Sequence, residues 1–253
     1  EWIEAEGFEV IYGDTDSTFV HLGSDIRLEQ ADEIGQRLAK MINDNWAALI
    51  RREFDLPSHL EIQYETHYRR FLMPTIRGLE KGSKKRYAGL VGEGEGEHLV
   101  FKGLETVRTD WTPLAKAFQT RLYEMVFHDQ DPSSYVRTMV DETRAGRHDD
   151  LLIYRKRLRQ KLEEYQKNVP PHVRAARLAD EENLRRGLPQ RYQHRGTIAY
   201  LMTLNGPEPL EYRRSAVDYE HYIDKQLRPI ADAILPFVGE SFERICGQQL
   251  DLF

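Results

Sequence analysis

Two carboxylates one residue apart, Asp14 and Asp16, lie in the string Tyr12-Gly13-Asp14-Thr15-Asp16-Ser17. A tight turn can aim both at one place, and hard cations such as Mg²⁺ take oxygen ligands of that kind. Two-metal phosphoryl transfer uses such carboxylates to hold the ions that activate the attacking oxygen and stabilise the leaving one. A bare D-x-D is equally an ordinary turn, since Gly and Asp are common turn residues. An EF-hand loop is excluded, because Phe19 stands where its glycine would be and Asp25 where its glutamate would be. Lys84-Lys85-Arg86-Tyr87 forms a second set, with three cations at the start of an expected strand. Strand side chains alternate, so at most two of the three share a face. Two cations so placed suit phosphates and minor-groove acceptors, while Tyr87 can pack or hydrogen-bond.

These residues need elements to hold them. Residues 8–12 and 18–22 are short β-prone runs around the aspartate turn and read as a β-hairpin. Ser24 or Asp25 is placed to cap a following helix, in which Ile34, Leu38, Ile42, Trp46 and Leu49 make one apolar face. Extended segments are expected at 60–67, 69–73, 85–91 and 98–102. The last two are joined by the glycine-glutamate run 92–97, a hairpin tip whose three glutamates would repel phosphate. At Thr112-Pro113 the pattern changes. Pro113 suits a first helical position, and Leu114, Phe118, Leu122 and Met125 form a helical stripe. Further helices are expected over 132–145 and 171–186, the latter stopped by Gly187, and around 218–226 and 228–238, with residues 197–203 extended. The reading is a mixed α/β part to about residue 112 and a mostly helical part after it.

The 253 residues carry a net charge of −6, which argues at first against nucleic acid. The charge is segregated, however. Residues 1–66 hold 5 Lys/Arg against 15 Asp/Glu, residues 69–86 hold 7 against 1, and residues 155–195 hold 12 against 5. Positive surfaces beside a carboxylate-rich part suit a protein that handles both metal ions and phosphates. No apolar run is long enough to span a membrane, and the single cysteine, Cys246, rules out internal disulfides and fits a reducing compartment. The chain starts at Glu1 rather than Met, so a longer parent protein is expected.

The hexapeptide Tyr12 to Ser17, flanked by Val10-Ile11 and Thr18-Phe19-Val20, resembles motif C of the family B DNA polymerases. The resemblance implies that Asp16 is the principal catalytic metal ligand and Asp14 its neighbour, with Mg²⁺ as cofactor. The family's other metal-binding aspartate is expected upstream of this chain, which leaves the site incomplete. Lys84-Lys85-Arg86-Tyr87 resembles the family's KKxY motif at the primer–template, and Glu65 falls where the family has another palm carboxylate. The segment from Lys102 to Trp111 is similar to the KGxExxRxD segment that closes the palm; Lys102 and Arg108 are its expected DNA contacts.

Arg155, Lys156, Arg157 and Arg159, followed by Tyr165 and by Pro171-His172-Val173-Arg174, resemble the basic stretch and helix of the family's thumb. Such cations would give salt-dependent, sequence-independent binding to primer–template DNA; His172 reads as structural. Gln249-Leu250-Asp251-Leu252-Phe253 resembles the peptide with which bacterial proteins grip the sliding clamp, and implies tethering to that ring. The implied fold is α+β, an antiparallel-sheet palm remainder (1–112) followed by a mostly helical thumb domain (113–247) and a clamp-binding tail (248–253). The implied reaction is primer extension from deoxynucleoside triphosphates by a bacterial, cytoplasmic enzyme, with this chain alone inactive. Two rivals stay open. A D-x-D glycosyltransferase explains the aspartates but not the basic segments, and a separate DNA-binding and clamp-tethering module shares most of the features.

Overall fold

Along the chain the elements are α1 (Trp2–Ala5), β1 (Glu9–Gly13), β2 (Thr18–His21), α2 (Leu28–Phe54), β3 (Arg70–Leu72), β4 (Thr75–Ile76), β5 (Leu79–Gly82), β6 (Tyr87–Val91) and β7 (His98–Lys102). After them come α3 (Pro113–Phe127), α4 (Ser133–Arg144), β8 (Tyr154–Leu158), α5 (Pro171–Arg185), β9 (Gly196–Thr203), β10 (Gly206–Pro209), α6 (Tyr219–Tyr222), α7 (Arg228–Ile234) and α8 (Phe242–Cys246). This computed structural model describes residues 1–14, 17–23, 26–76, 79–82, 85–167 and 169–247. Asp16, Lys84, Ser24, Asp25 and the pentapeptide 249–253 lie outside the described residues. The chain forms two compact units, Glu1–Leu72 with Gly89–Val100, and Met73–Ala88 with Phe101–Phe253; β6 and β7 run from one into the other.

In the first unit, β1 and β2 form the expected antiparallel hairpin, with Val10 opposite Val20 and Gly13 opposite Thr18. Both valines pack on the apolar face of α2, where Leu38 and Ile42 are buried with Ile3, and Ile34 and Trp46 cover them. The helix is capped differently from expectation. Its N-cap is Arg27, whose backbone N–H donates to Gln30 Oε1 at 3.2 Å. Residues 60–67 form no strand. The Asn43 side chain takes the place of a neighbouring strand, donating to the Ile62 carbonyl and accepting from the Ile62 N–H, each at 2.9 Å. Where the sequence suggested extended runs at 69–73, 85–91 and 98–102, the sheet order is β3-β6-β7.

The second unit is built around α3. Thr112 caps it, Pro113 opens it, and Leu114, Phe118 and Leu122 are fully buried, while Met125 is only half-buried. Helices α4 and α5 fall where the periodicity put them, and α5 ends before Gly187, which takes a left-handed backbone. Two corrections concern the rest. The basic run at 155–157, placed by its surroundings in a helical region, is strand β8 in an antiparallel sheet of order β10-β9-β8. The two expected closing helices are one continuous helical run, α6 passing through a π-helical stretch (Ile223–Leu227) into α7.

Thr112 joins the two ends of this unit. Its hydroxyl accepts from Ala115 N–H at 3.3 Å and donates to Gln226 Oε1 at 3.0 Å; its own N–H reaches the same Gln226 oxygen at 3.1 Å. Loss of a helix cap and of a fully buried hydrogen bond costs about 1–2 kcal/mol. Thr112→Ala should therefore lower the urea unfolding free energy by about that amount, with Thr112→Ser restoring most of it.

Candidate carboxylate turn and basic groove

The aspartate turn is short. Asp14 N–H donates to the Ser17 carbonyl at 2.8 Å, which ties the two sides of the hairpin together just past β1. Asp14 is half-buried. A bulge between Val10 and Tyr12 breaks the ladder just before the turn, the kind of irregularity that adds twist and re-aims side chains. The hairpin is seated by rings: Phe19 lies 5.4 Å from Tyr12, 4.9 Å from Phe71 and 6.2 Å from Tyr68, centre to centre. Gly89 permits this, because a β-carbon there would overlap the Tyr68 ring.

Glu65 is exposed in the irregular segment before β3. Among the described residues no three His, Cys, Asp or Glu side chains cluster as a metal site would require. A paired-carboxylate turn fits a hard divalent ion as a partial ligand set, since Mg²⁺ is held by one or two carboxylates with waters and substrate phosphates.

In the second unit the expected cations have different fates. Arg86 is half-buried and ion-paired with the buried Glu105, whose other oxygen accepts from Gln119 Nε2 at 2.7 Å. Gln119 Oε1 in turn accepts from the Thr106 N–H and hydroxyl at 2.8 and 2.6 Å. Lys85 is exposed, and its carbonyl lies over Gly103, which has φ +63° and no room for a β-carbon. Tyr87 is half-buried at the head of β6, and Lys102 is exposed at the end of β7. Arg108 makes a two-pronged pair with Asp110, at 3.0 and 2.7 Å, which raises the arginine's pKa and lowers the carboxyl's.

Strand β8 sorts its cations by face. Tyr154 and Leu158 are buried; Arg155 and Arg157 are exposed; Lys156 is half-buried on the inner side. Lys156 adds to the lowering of the Asp110 pKa and, with burial as the larger cause, lowers that of His172. His172 also meets the Tyr165 ring edge-on at 6.4 Å. The register pairs Arg157 with Thr197 and Leu158 with Gly196, so Arg195 continues the outward row beside Arg159. These residues line an open groove of about 620 Å³, with Thr109 on its rim. Arg195 carried no signal of its own in the sequence, because only the β8–β9 register brings it to this row. Arg174 is exposed on α5, with its guanidinium next to Gly206.

A family model, DNA polymerase family B, matches residues 2–246. The chain belongs to the family B DNA polymerases. It is 58% identical over 251 residues to DNA polymerase II of Escherichia coli, covering 99% of this chain and 32% of that protein. DNA polymerase 2 of Aeropyrum pernix is 30% identical over 253 residues, 95% of this chain and 27% of the relative. Among solved structures, the family B polymerase of the archaeon Pyrobaculum calidifontis is similar, with a TM-score of 0.57 and 28% identity. That likeness covers 92% of this chain and 27% of the other. The chain thus spans about a third or less of these family B relatives. Membership sets aside the glycosyltransferase reading and agrees with the α+β fold.

Three further cations share one carboxylate within the chain. The buried Glu182 on α5 accepts from Arg185 (2.9 and 2.6 Å), Arg186 (2.5 Å) and Arg214 (2.7 Å), and its pKa falls to about 2, the hydrogen bonds from Arg185 and Arg186 being the main cause. A depressed folded-state pKa gives stability that is full above the unfolded value of about 4.5 and lost as pH falls towards 2. Glu182→Gln should lower the urea midpoint at pH 7. It should also flatten the decline between pH 4.5 and 2 relative to the unsubstituted chain.

Proposed function

We propose that this chain is the carboxy-terminal part of a bacterial DNA-directed DNA polymerase, supplying a metal-ligand turn, a grip on the primer–template duplex and a clamp-binding tail. The observation that carries the reading is the outward cation row Arg155, Arg157, Arg159 and Arg195 along one groove, in a chain whose residues 2–246 match the family B model. Residues 1–112 serve as the palm remainder and 113–247 as the thumb. Residues 248–253 tether the enzyme to a sliding clamp.

Asp14 and Asp16 are the side chains that would hold divalent ions, with Glu65 a further carboxylate of the same region. A divalent ion such as Mg²⁺ held by these carboxylates would supply Lewis-acid stabilisation of phosphate charge and would make a primer hydroxyl easier to deprotonate. The chain's own contribution is positional. The twisted hairpin, seated on the aromatic cluster, holds Asp14 directly after β1. The cation row holds duplex by phosphate contacts that do not depend on sequence, as an enzyme moving along any template needs. Lys84, Lys85 and Tyr87 act nearer the primer end, with Lys102 and Arg174 as additional phosphate contacts. Arg86 contributes by anchoring that strand to Glu105, and Arg108 by bracing Asp110.

In the intact polymerase, Asp16→Ala should abolish primer extension while duplex affinity changes less than about threefold (~0.7 kcal/mol by the relation of free energy to affinity). Parallel loss of extension and duplex binding would make Asp16 a structural residue instead. The 253-residue chain alone should bind duplex, with affinity falling steeply with salt, and should not extend a primer. Extension by the chain alone, or no binding at low salt, contradicts the reading.

A further inference from the structure

Asp180 is 1% exposed, yet no cation neutralises it among the described residues. Its Oδ1 accepts from the Arg191 N–H at 2.6 Å, its Oδ2 from the Tyr192 N–H at 3.1 Å and from Gln193 Nε2 at 2.8 Å. The Arg191 guanidinium turns away to Glu211 at 3.2 Å. A buried carboxylate is costly unless its oxygens are satisfied, so this arrangement ties α5 to one conformation of residues 191–193.

That loop leads into β9 and carries His194 and Arg195. It is held at its far side as well: the Gln193 carbonyl accepts from Leu162 N–H at 3.2 Å. The Tyr192 ring covers Gly196, whose φ of +148° suits glycine. Across the opening, the Tyr165 hydroxyl accepts from the N–H groups of Arg159 and Gln160, both at 3.2 Å, and so fixes the exit of β8. Arg159 and Arg195 consequently border both the 620 Å³ groove and a second opening of about 490 Å³, which His194 also lines.

We propose that Asp180 is a positioning residue for phosphate binding, holding Arg195 in the outward cation row so that the row runs from β8 across to the start of β9. The inference rests on the duplex-binding reading above and names the phosphodiester backbone as the ligand of Arg195. It makes a prediction opposite to simple electrostatics. If Asp180 acted only as a negative charge beneath a basic surface, removing it would strengthen anion binding. If it positions Arg195, removing it weakens binding despite the gain in positive charge.

The test is fluorescence anisotropy of a labelled primer–template duplex against the chain over a salt series, for the unsubstituted protein, Asp180→Ala, Asp180→Asn, Arg195→Ala and Asp180→Ala/Arg195→Ala. Arg195→Ala should reduce the slope of log affinity against log salt by about one, as loss of one phosphate contact does. Asp180→Ala should give the same reduction, the double variant no more than Arg195→Ala alone, and Asp180→Asn a smaller loss because one oxygen can still accept the backbone N–H groups. Far-UV circular dichroism reports folding. If Asp180→Ala does not fold, the isosteric Asp180→Asn decides, and its slope should lie between those of the unsubstituted chain and Arg195→Ala. Binding by either Asp180 variant as tight as or tighter than the unsubstituted chain overturns the proposal, as do additive losses in the double variant. An unchanged slope in Arg195→Ala overturns it while leaving duplex binding intact. Failure of the unsubstituted chain to bind at low salt overturns the duplex reading, and this inference with it.

Discussion

The two-residue period of β8 is the constraint on which the basic surface depends. Tyr154 pairs with Tyr200 across the sheet and stacks on it at 5.1 Å, with Tyr222 stacked at 5.6 Å on the same ring, and Leu158 is fully buried at the other end. With these two residues facing in, Arg155 and Arg157 have to face out. Residues two apart on a strand are about 7 Å from one another, and two like charges at that distance in water repel by roughly 0.6 kcal/mol. Burying a tyrosine or leucine side chain stabilises by about 1.5–3 kcal/mol each. Burial wins, so the fold can hold a row of unneutralised cations with little strain.

The remaining cations are divided by the same kind of comparison. Arg86, Arg108, Arg185, Arg186 and Arg214 each meet a carboxylate within the chain, and Glu105 and Glu182 are buried while doing so. These arginines brace the scaffold. Arg155, Arg157, Arg159 and Arg195 have no ion pair among the described residues, and they share one groove. A chain with a net charge of −6 can thus present a row of unpaired cations, because many of its carboxylates are matched elsewhere or lie in the first 66 residues.

Local signals account for the aspartate hairpin and for two helix boundaries, although not for the cap of α2, which is Arg27, nor for residues 60–67, which form no strand. The aspartate hairpin follows from two β-prone runs around Gly13, and the start of α3 from Thr112-Pro113. The end of α5 follows from Gly187. Where the deciding partner is distant, the sequence was mute or misleading. Strand β8 pairs with a strand some forty residues on, and its Arg-Lys-Arg core has no strand preference of its own, so neighbouring helical patterns dominated. The pairing of Arg86 with Glu105 and of Asp180 with the 191–193 loop are likewise tertiary, and they change what those residues do. Asp16, Lys84 and the tail 249–253 rest on the family resemblance.

The most direct measurement compares the salt dependence of duplex binding for Arg155→Ala/Arg157→Ala with that for Lys156→Ala. Sorting by strand face predicts that the double substitution lowers the log–log salt slope by about 1.8, two phosphate contacts at roughly 0.9 each, and that Lys156→Ala, at a residue half-buried although it lines the same groove, lowers it by less than one contact. A slope that falls for Lys156→Ala and stays constant for the arginine pair would contradict the account, because the face turned towards DNA would then be the one β8 buries.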